Sequence, residues 1–289
     1  MDGFVILDKP SDVSSKTAAI RATKIFNTKK NGHIGTLDPM ASGVLPVAIG
    51  NATKMVPFIE EFCDRTKEYL FTVRFGFETD TLDITGTEVS RNDVIPDVNA
   101  VRGVLHKFIG HITQVPPVFS AVHISGVRAY ELARAGKTPE IPPRTVDIYE
   151  LELTGVDGQD WNFRMTCAPG TYVRSVARDI ARACGTVATV TMIRRTKTSG
   201  FELKDAVPLD FLENLFNNGG NISKYLMPAD SGLGDIPVLN LDRKACRLYR
   251  NGGFISGAFA DGPYRVYCGD EFIGMGTVES NTLRPKRTI

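Results

Sequence analysis

Hydrophobic positions that alternate with polar ones, or that recur at helical spacing, divide the chain into short elements. The apolar run at residues 3–7 predicts a strand, and Ser14 and Ser15 are suitable N-caps for a helix that continues to Ile25. Alternation over residues 69–77 is typical of a strand with one buried face. The N-terminal part of the chain therefore mixes strands and helices.

Two more strands and a second long helix follow in the middle of the chain. Residues 146–153 and 161–167 predict strands joined by a turn at Asp157-Gly158. Residues 172–184 have helical spacing and end at Gly185, which suits a helix C-terminus. Since strands dominate and hairpin signals recur, we expect an α+β fold, with a mainly antiparallel mixed sheet flanked by helices.

Proline and glycine spacing indicates the domain organisation. Residues 114–144 contain five prolines around one short helical pattern at 129–135, and so long an excursion between strands predicts a functional arm. A proline- and glycine-spaced stretch at 228–237 precedes a tail with strand patterns at 264–267 and 272–275. We therefore expect a large domain over 1–230 and a small β domain over 235–289.

Composition limits the class of protein. The 289 residues are 42% hydrophobic and 23% charged, enough apolar content for a sizeable core. No apolar run approaches the roughly 18 residues of a membrane span, and Asp2, Asp8 and Lys9 surround the N-terminal apolar stretch, which argues against a signal peptide. We expect a soluble, cytoplasmic protein.

The charge is almost balanced overall, at +1, but it is unevenly distributed. Residues 60–99 hold ten acids and four bases, whereas residues 161–204 hold eight bases and two acids. The basic segment is either an ordinary solvated surface or a stripe that binds phosphates.

Cysteine and histidine usage gives no sign of a metal site. The five cysteines include no C-x-x-C pair, a pattern that suits a reducing compartment and argues against a disulfide framework or a cysteine zinc site. The four histidines lack the spacing of metal ligands on a helix, and glycine-rich phosphate loops are absent. We therefore expect no metal and no cofactor, and chemistry that uses ordinary side chains.

The segment at residues 32–43 is the most unusual stretch of the chain. Its glycines allow tight turns and a close approach to a ligand, and Pro39 disfavours helical backbone at Asp38. An extended aspartate in such a loop can direct its carboxylate into a cleft. An Asx-turn is the simpler explanation, since aspartate before proline is common in turns.

This segment closely resembles the signature of the TruB-type pseudouridine synthases, and the resemblance covers the whole chain. The tail resembles an RNA-binding domain of the PUA type through Arg265-Val266-Tyr267 and the segment at 272–276. The other motifs that carry the resemblance are Asp8-Lys9-Pro10 with Ser14-Ser15, Lys67-Glu68-Tyr69, Thr79-Asp80-Thr81 with Asp83 and Gly86, Gly170-Thr171-Tyr172-Val173-Arg174, and Ile193-Arg194-Arg195.

The resemblance implies isomerisation of uridine 55 in the T-loop of tRNA to pseudouridine, a reaction without net redox change that needs neither metal nor cofactor. It implies catalytic roles for Asp38, Tyr69 and Arg174, with Arg174 paired to Asp38. The residues implied to bind the RNA substrate are His33, Tyr172, Ile193 and Lys9. The expected partner is the T-arm of tRNA, and the expected oligomeric state is a monomer.

The family also implies how the substrate is held. The target base must be flipped out of its loop before the chemistry. Tyr69 and Tyr172 match positions that line the base pocket, and Ile193 replaces a leucine that forms an apolar wall. His33 matches the histidine that supports the flipped-out loop. In the arm, residues 119–123 read Phe-Ser-Ala-Val-His where the family usually has Y-S-A-L-K, so RNA affinity or its salt dependence is expected to differ.

Three other functions compete with this one. A guide-RNA-dependent relative would modify ribosomal RNA, but the motif at residues 40–43 and the lack of lysine-rich tails favour the stand-alone form. A tRNA-binding or tRNA-folding protein would not require chemistry at Asp38. A glycosidase that uses Asp38 and Asp83 would explain neither the basic segment nor the tail.

Overall fold

The computed structural model describes residues 1–120, 122–124, 126–137 and 139–289. Ala121, Ser125 and Thr138, which fall in the predicted arm, lie outside the described residues. The α-helices are α1 (Ser15–Ile25), α2 (Val56–Phe62), α3 (Val98–Leu105), α4 (Ala129–Arg134), α5 (Val173–Ala183), α6 (Leu209–Asn217) and α7 (Arg243–Arg250). The strands are β1 (Gly3–Lys9), β2 (Asn31–His33), β3 (Ser42–Ile49), β4 (Lys67–Phe75), β5 (Phe77–Thr79), β6 (Glu88–Arg91), β7 (Gly110–Gln114), β8 (His123–Ile124), β9 (Val127–Arg128), β10 (Arg144–Asp157), β11 (Asp160–Cys167), β12 (Ala188–Thr198), β13 (Phe201–Glu202), β14 (Val207–Pro208), β15 (Val238–Leu241), β16 (Ile255–Ser256), β17 (Gly262–Cys268), β18 (Glu271–Glu279) and β19 (Thr282–Thr288).

Local chemistry explains where the predicted elements begin and end. Ser14 caps α1 by accepting a hydrogen bond from the Thr17 amide at 3.0 Å, as the sequence predicts. Helix α5 is followed by Gly185, whose φ of +75° suits a left-handed stop. The strand predicted over 69–77 instead ends at Phe75, because Gly76 adopts a φ of +104° that interrupts the extended backbone.

The chain forms two compact units. The first comprises Met1–Pro39, Gly43–Arg65 and Thr198–Ile289, and the second comprises Met40–Ser42 and Thr66–Lys197. In the first unit, β1 pairs parallel with β14 and antiparallel with β3, which also pairs antiparallel with β2. Its core is built on Phe4, Ile6, Met55 and Ile59.

The second unit contains the sheet order β12-β4-β11-β10-β7. The pairs β4/β11, β11/β10 and β10/β7 are antiparallel. Inside this unit, the rings of Phe71 and Phe163 stack at 5.2 Å on paired positions of β4 and β11. The α+β class and the mainly antiparallel mixed sheet are confirmed.

The tail forms its own five-stranded sheet in the order β15-β17-β18-β19-β16, which confirms its β character. It has a separate small core around Tyr249 and Val266, yet Ile236 and Met275 belong to the core that contains Phe4. The small C-terminal β domain therefore shares apolar packing with the N-terminal strands. The exact domain limits at 230 and 235 stay a prediction.

The expectation against disulfides is wrong for one pair. Cys246 on α7 and Cys268 at the end of β17 are disulfide-bonded, with their Cα atoms 5.9 Å apart. Helix α7 packs on β17 and so brings together two cysteines that are 22 residues apart in sequence. Cys63, Cys167 and Cys184 are free thiols, and burial raises the pKa of Cys167 to about 11. Among the described residues, no helix is long and apolar enough to cross a membrane.

Candidate active-site residues

Asp38 lies in the irregular segment between β2 and β3, and its side chain is half-buried. Two glycines adopt positive φ angles that residues with a Cβ disfavour: +67° at Gly35 in this segment and +102° at Gly43 near the start of β3. The His33 ring lies 3.1 Å from the Thr36 hydroxyl, so one turn of the loop is closed by a side-chain hydrogen bond. The glycines predicted to allow tight turns therefore do so on both sides of Asp38.

The N-terminal motif fixes the backbone after Asp38. Lys9 is fully buried, and its Nζ donates to the carbonyl oxygens of Pro10 at 2.7 Å, Val13 at 2.6 Å and Pro39 at 3.1 Å. The Asp12 amide also donates to the Pro39 oxygen, at 2.8 Å. A buried ammonium is costly unless it is hydrogen-bonded, and here two carbonyls of its own segment and one of the Asp38 loop accept from it. In the structure the Lys9 ammonium binds the protein's own backbone, and the expected role of Lys9 in substrate binding stays a prediction.

Ser15 fixes the backbone before Asp38. Its Oγ donates to the Leu37 carbonyl oxygen at 2.9 Å and accepts from the Leu37 amide at 2.8 Å. Ser15 is 2% exposed, so these bonds are shielded from water. The residues on both sides of Asp38 are thus held by side chains of the motif at residues 8–15. Sequence reasoning had assigned Ser15 only a capping role.

Arg174 is buried near the start of α5, where its guanidinium contacts two backbone carbonyls and one carboxylate. It donates to the carbonyl oxygens of Thr81 at 2.7 Å and Phe119 at 2.9 Å, and its Nη1 lies 3.3 Å from Asp83 Oδ2. The side chains of Arg174 and Asp83 are only 4% and 6% exposed. The ion pair with Asp83 was not predicted, although Asp83 belongs to the acidic turn that the sequence singled out.

Asp83 is itself held by threonines of that acidic turn. Its Oδ1 accepts from the Thr81 hydroxyl at 2.9 Å, the Thr85 amide at 3.0 Å and the Thr85 hydroxyl at 2.5 Å. These three hydrogen bonds hold the carboxylate in one orientation. The turn therefore supplies Arg174 with a fixed anionic partner. The glycosidase hypothesis gave Asp83 a catalytic role, but the structure commits its carboxylate to these partners.

Tyr69 and Ile193 lie on β4 and β12, two neighbouring strands of the sheet in the second unit. Tyr69 is 6% exposed and Ile193 is 4% exposed. Arg195, also on β12, is fully buried and forms a side-chain hydrogen bond with Tyr69. Burial lowers the pKa of Arg195, and the interaction with Tyr69 works in the opposite direction. The sequence placed Arg195 in the basic segment and in the motif at residues 193–195, but gave no indication of its contact with Tyr69.

The basic segment at residues 161–204 is not one continuous surface, because three of its eight bases are buried. Arg174, Arg178 and Arg195 are buried, with residue exposures of 3%, 8% and 0%. Arg164 and Lys204 are exposed but pair with Glu152 and Glu202. Charge counting failed because it cannot distinguish arginines that bind backbone carbonyls from arginines that face water.

The predicted site residues divide between the two units. Lys9, His33 and Asp38 belong to the first, whereas Tyr69, Tyr172, Arg174 and Ile193 belong to the second. The expected pairing of Arg174 with Asp38 joins residues of different units and stays a prediction. Among the described residues, no group of three or more histidine, cysteine or acidic side chains is placed to hold a metal ion.

Comparison with known proteins identifies the family. Residues 23–173 match the model for the TruB family pseudouridylate synthase N-terminal domain. Residues 174–234 match the tRNA pseudouridylate synthase B C-terminal domain, and residues 237–289 match the model for the C-terminal region of pseudouridine synthase II TruB.

Curated relatives agree with these models. The chain is 42% identical to the tRNA pseudouridine synthase B of Novosphingobium aromaticivorans, covering 99% of this chain and 97% of that protein. It is 44% identical to the Caulobacter vibrioides protein of the same name, covering 86% and 79%, respectively.

The fold is shared with a solved structure, a chain from a Cbf5–Nop10–Gar1 complex. The TM-score is 0.71 at 24% identity, and the match covers 99% of this chain and 84% of that one. This likeness concerns the fold alone. By its matched family models and its close relatives, the chain belongs to the TruB family of pseudouridylate synthases and is an isomerase.

Proposed function

We propose that this protein converts uridine 55 in the T-loop of tRNA to pseudouridine, with Asp38 as the essential carboxylate. The observation that carries the proposal is the placement of Asp38. It occupies the aspartate position of the family signature, in a loop whose backbone is held on both sides by Lys9 and Ser15. A carboxylate on a fixed backbone is already positioned for the substrate atom with which it reacts, which lowers the entropic cost of the reaction.

The reaction is an isomerisation and conserves every atom. The bond between the ribose C1′ and N1 of uracil breaks, the base turns, and C1′ bonds to C5. The C5 proton is lost and N1 regains a proton. Asp38 acts as nucleophile or base at the sugar or the ring, and no redox cofactor or metal enters the balance.

Arg174 and Tyr69 complete the proposed catalytic group. Arg174, which is held by Asp83, is the cation that we propose to pair with the Asp38 carboxylate during the reaction. Tyr69 takes part in proton transfer, and the hydrogen bond with Arg195 stabilises negative charge on its oxygen during that step. Lys9, which binds backbone carbonyls, acts as a positioning residue for the Asp38 loop.

The RNA is held in a flipped-out conformation. The uracil stacks on Tyr172 and rests against the apolar wall of Ile193, while His33 supports the RNA loop from which the base has left. The arm at residues 114–144 and the C-terminal β domain bind the RNA outside the target base. We place the reaction in the cytoplasm, with a monomer acting on one tRNA.

The experiment that tests this function is product mapping on unmodified tRNA transcripts. Wild-type protein is incubated with a full-length transcript, with the same transcript carrying cytidine at position 55, and with a ribosomal RNA fragment. Nuclease digestion and mass spectrometry of derivatised products then locate pseudouridine. We expect it at position 55 of the first transcript only. Modification of the ribosomal fragment only when a guide RNA is added would support the guide-dependent alternative instead.

A further inference from the structure

The two ends of the arm meet on one residue of the proposed base pocket. In the antiparallel pairing of β7 with β10, Gln114 lies directly opposite Arg144. Side chains of directly opposed residues project from the same face of a sheet. Gln114 and Arg144 therefore form the root of the arm, and both contact Tyr172 or its neighbours.

Gln114 binds the backbone of Tyr172 with both ends of its amide. The Tyr172 N–H donates to Gln114 Oε1 at 2.8 Å, and Gln114 Nε2 donates to the Tyr172 carbonyl oxygen at 3.2 Å. Gln114 is fully buried, so water does not compete for these bonds. The amide holds a residue 58 positions away in sequence at the point where α5 begins.

Arg144 covers the side chain of the same tyrosine. Its guanidinium carbon lies 4.7 Å from the centre of the Tyr172 ring, within the range of a cation–π contact. Its Nη2 donates to the carbonyl oxygen of Gly170, which has a φ of +92°. Backbone and ring of Tyr172 are thus fixed separately, by opposite ends of the arm.

The first residues of the arm also bind α5. The Val115 carbonyl oxygen accepts from the Ser175 hydroxyl at 2.8 Å and from Arg178 Nη2 at 3.0 Å. The Phe119 carbonyl oxygen accepts from Arg174. These hydrogen bonds join the first residues of the arm to the start of α5, which contains Arg174 and is preceded by Tyr172.

Packing alone does not explain an arginine at position 144. Its Nε atom is buried without a hydrogen-bond partner among the described residues. An unpaired buried donor costs stability, so its presence at this position needs an explanation other than packing. The planar guanidinium also stacks on a ring in a way that lysine cannot reproduce.

We propose that Gln114 and Arg144 are positioning residues of the isomerisation, which hold Tyr172 against the flipped base and tie its placement to the arm. This rests on the proposed function in one respect, namely that Tyr172 stacks on the target uracil. Neither residue touches the reacting atoms. Their removal should therefore affect the rate of the bound complex more than RNA affinity.

The test compares matched substitutions in single-turnover assays at saturating T-arm stem-loop. Gln114→Met removes both hydrogen bonds at similar volume, and Arg144→Lys keeps the charge but loses the stacked fork. We expect each to lower the rate about tenfold or more, with the stem-loop Kd changed by less than about threefold. The controls are Gln159→Met and Arg102→Lys, at exposed positions of the second unit outside the arm, and both should behave as wild type.

Amide hydrogen exchange supplies a readout that does not depend on activity. In the protein without RNA, Gln114→Met should speed exchange in the peptide spanning residues 170–176, because the Tyr172 N–H loses its acceptor. Thermal unfolding checks that each variant is folded. If Gln114→Met does not fold, Arg144→Lys decides the question.

Two results would overturn the proposal. Weaker binding with an unchanged saturating rate would make the two residues RNA contacts, and an unchanged rate with unchanged affinity would leave them without a role. If wild type itself does not isomerise the stem-loop or full tRNA, the proposed function fails. The exchange experiment would still report whether Gln114 holds Tyr172.

Discussion

Single residues around Asp38 show that its neighbours were easier to find from sequence than their roles. The signature at residues 32–43 and the motif at residues 8–15 were both recognised, yet their mutual contacts were not. Ser15 contacts Leu37 across 22 positions, and the Lys9 ammonium reaches Pro39 across 30. Spacing along a chain carries no information about which buried polar group will satisfy which backbone atom. The fold alone brings these atoms together.

The first prediction concerns Ser15. Ser15→Ala removes both hydrogen bonds to Leu37, so the backbone before Asp38 should move more freely. We expect the saturating single-turnover rate to fall about tenfold while the stem-loop Kd stays within about threefold of wild type. Rates and affinities are measured separately, by quenched turnover and by filter binding.

The neighbouring serine provides the control. Ser14→Ala removes the N-cap of α1 and should cost about 1 kcal/mol of stability without slowing the saturated reaction. Equal rates for the Ser15→Ala and Ser14→Ala variants would show that the contact with Leu37 does not position Asp38.

Among the secondary-structure elements, the sequence predicted helix ends and turns correctly where the conformational preference of one residue determines them. The Ser14 cap, the Gly185 stop and the turn at Asp157-Gly158 all lie where the sequence predicts, because each follows from the conformational preference of that residue. The strand predicted to reach residue 77 shows the limit, since alternation continued past the glycine that ends it. Burial of the arginines in the basic segment was missed because it depends on packing between distant elements.

The contact between α1 and α6 yields a prediction about pH. Arg21 donates to Glu213 through Nε at 2.7 Å and to Asp210 through Nη2 at 3.0 Å. The hydrogen bond from Arg21 lowers the pKa of Glu213 below its ordinary value of 4.5. The stabilisation is therefore present above about pH 4.5 and is lost as the pH falls through the lowered pKa.

Glu213→Gln should consequently lower the free energy of unfolding by about 0.5–1 kcal/mol at pH 7, the range of a partly exposed ion pair. The difference from wild type should shrink as the pH falls below about 4. Urea unfolding at several pH values measures it. Asp210→Asn is the control, with a smaller effect because Asp210 is 72% exposed. A difference that is constant across this pH range would mean that the ion pair does not stabilise the α1–α6 contact.

For the molecule as a whole, the sequence predicted a C-terminal tail that is more separate from the rest of the core than the structure shows. A break near residue 235 was visible, and the tail does have its own sheet. Ile236 and Met275 nevertheless complete the core around Phe4 and Met55. Deletion of the tail would therefore expose apolar core as well as remove the surface that we propose to bind RNA. Surface substitutions are the cleaner way to test its role.

Helix α7 offers such substitutions. Arg243, Lys244 and Arg247 are exposed on it. Their combined replacement by glutamine should weaken binding of full-length tRNA several-fold and reduce the salt dependence of that binding, because fewer phosphates are neutralised. Turnover of a T-arm stem-loop should stay at the wild-type rate. Unchanged tRNA affinity, or an equal loss with the stem-loop, would contradict a role for the tail outside the T-arm.

The catalytic role of Asp38 is tested most directly by following the hydrogen at C5 of the target uridine. A T-arm stem-loop carrying tritium at that position is incubated with wild-type protein or with the Asp38→Asn variant, in the presence of EDTA and without any cofactor. Binding of the same RNA is measured in parallel. The expected result is tritium release by wild type, no release by the variant, and RNA affinities of the two proteins within a few-fold of each other. Release by Asp38→Asn at the wild-type rate would contradict it.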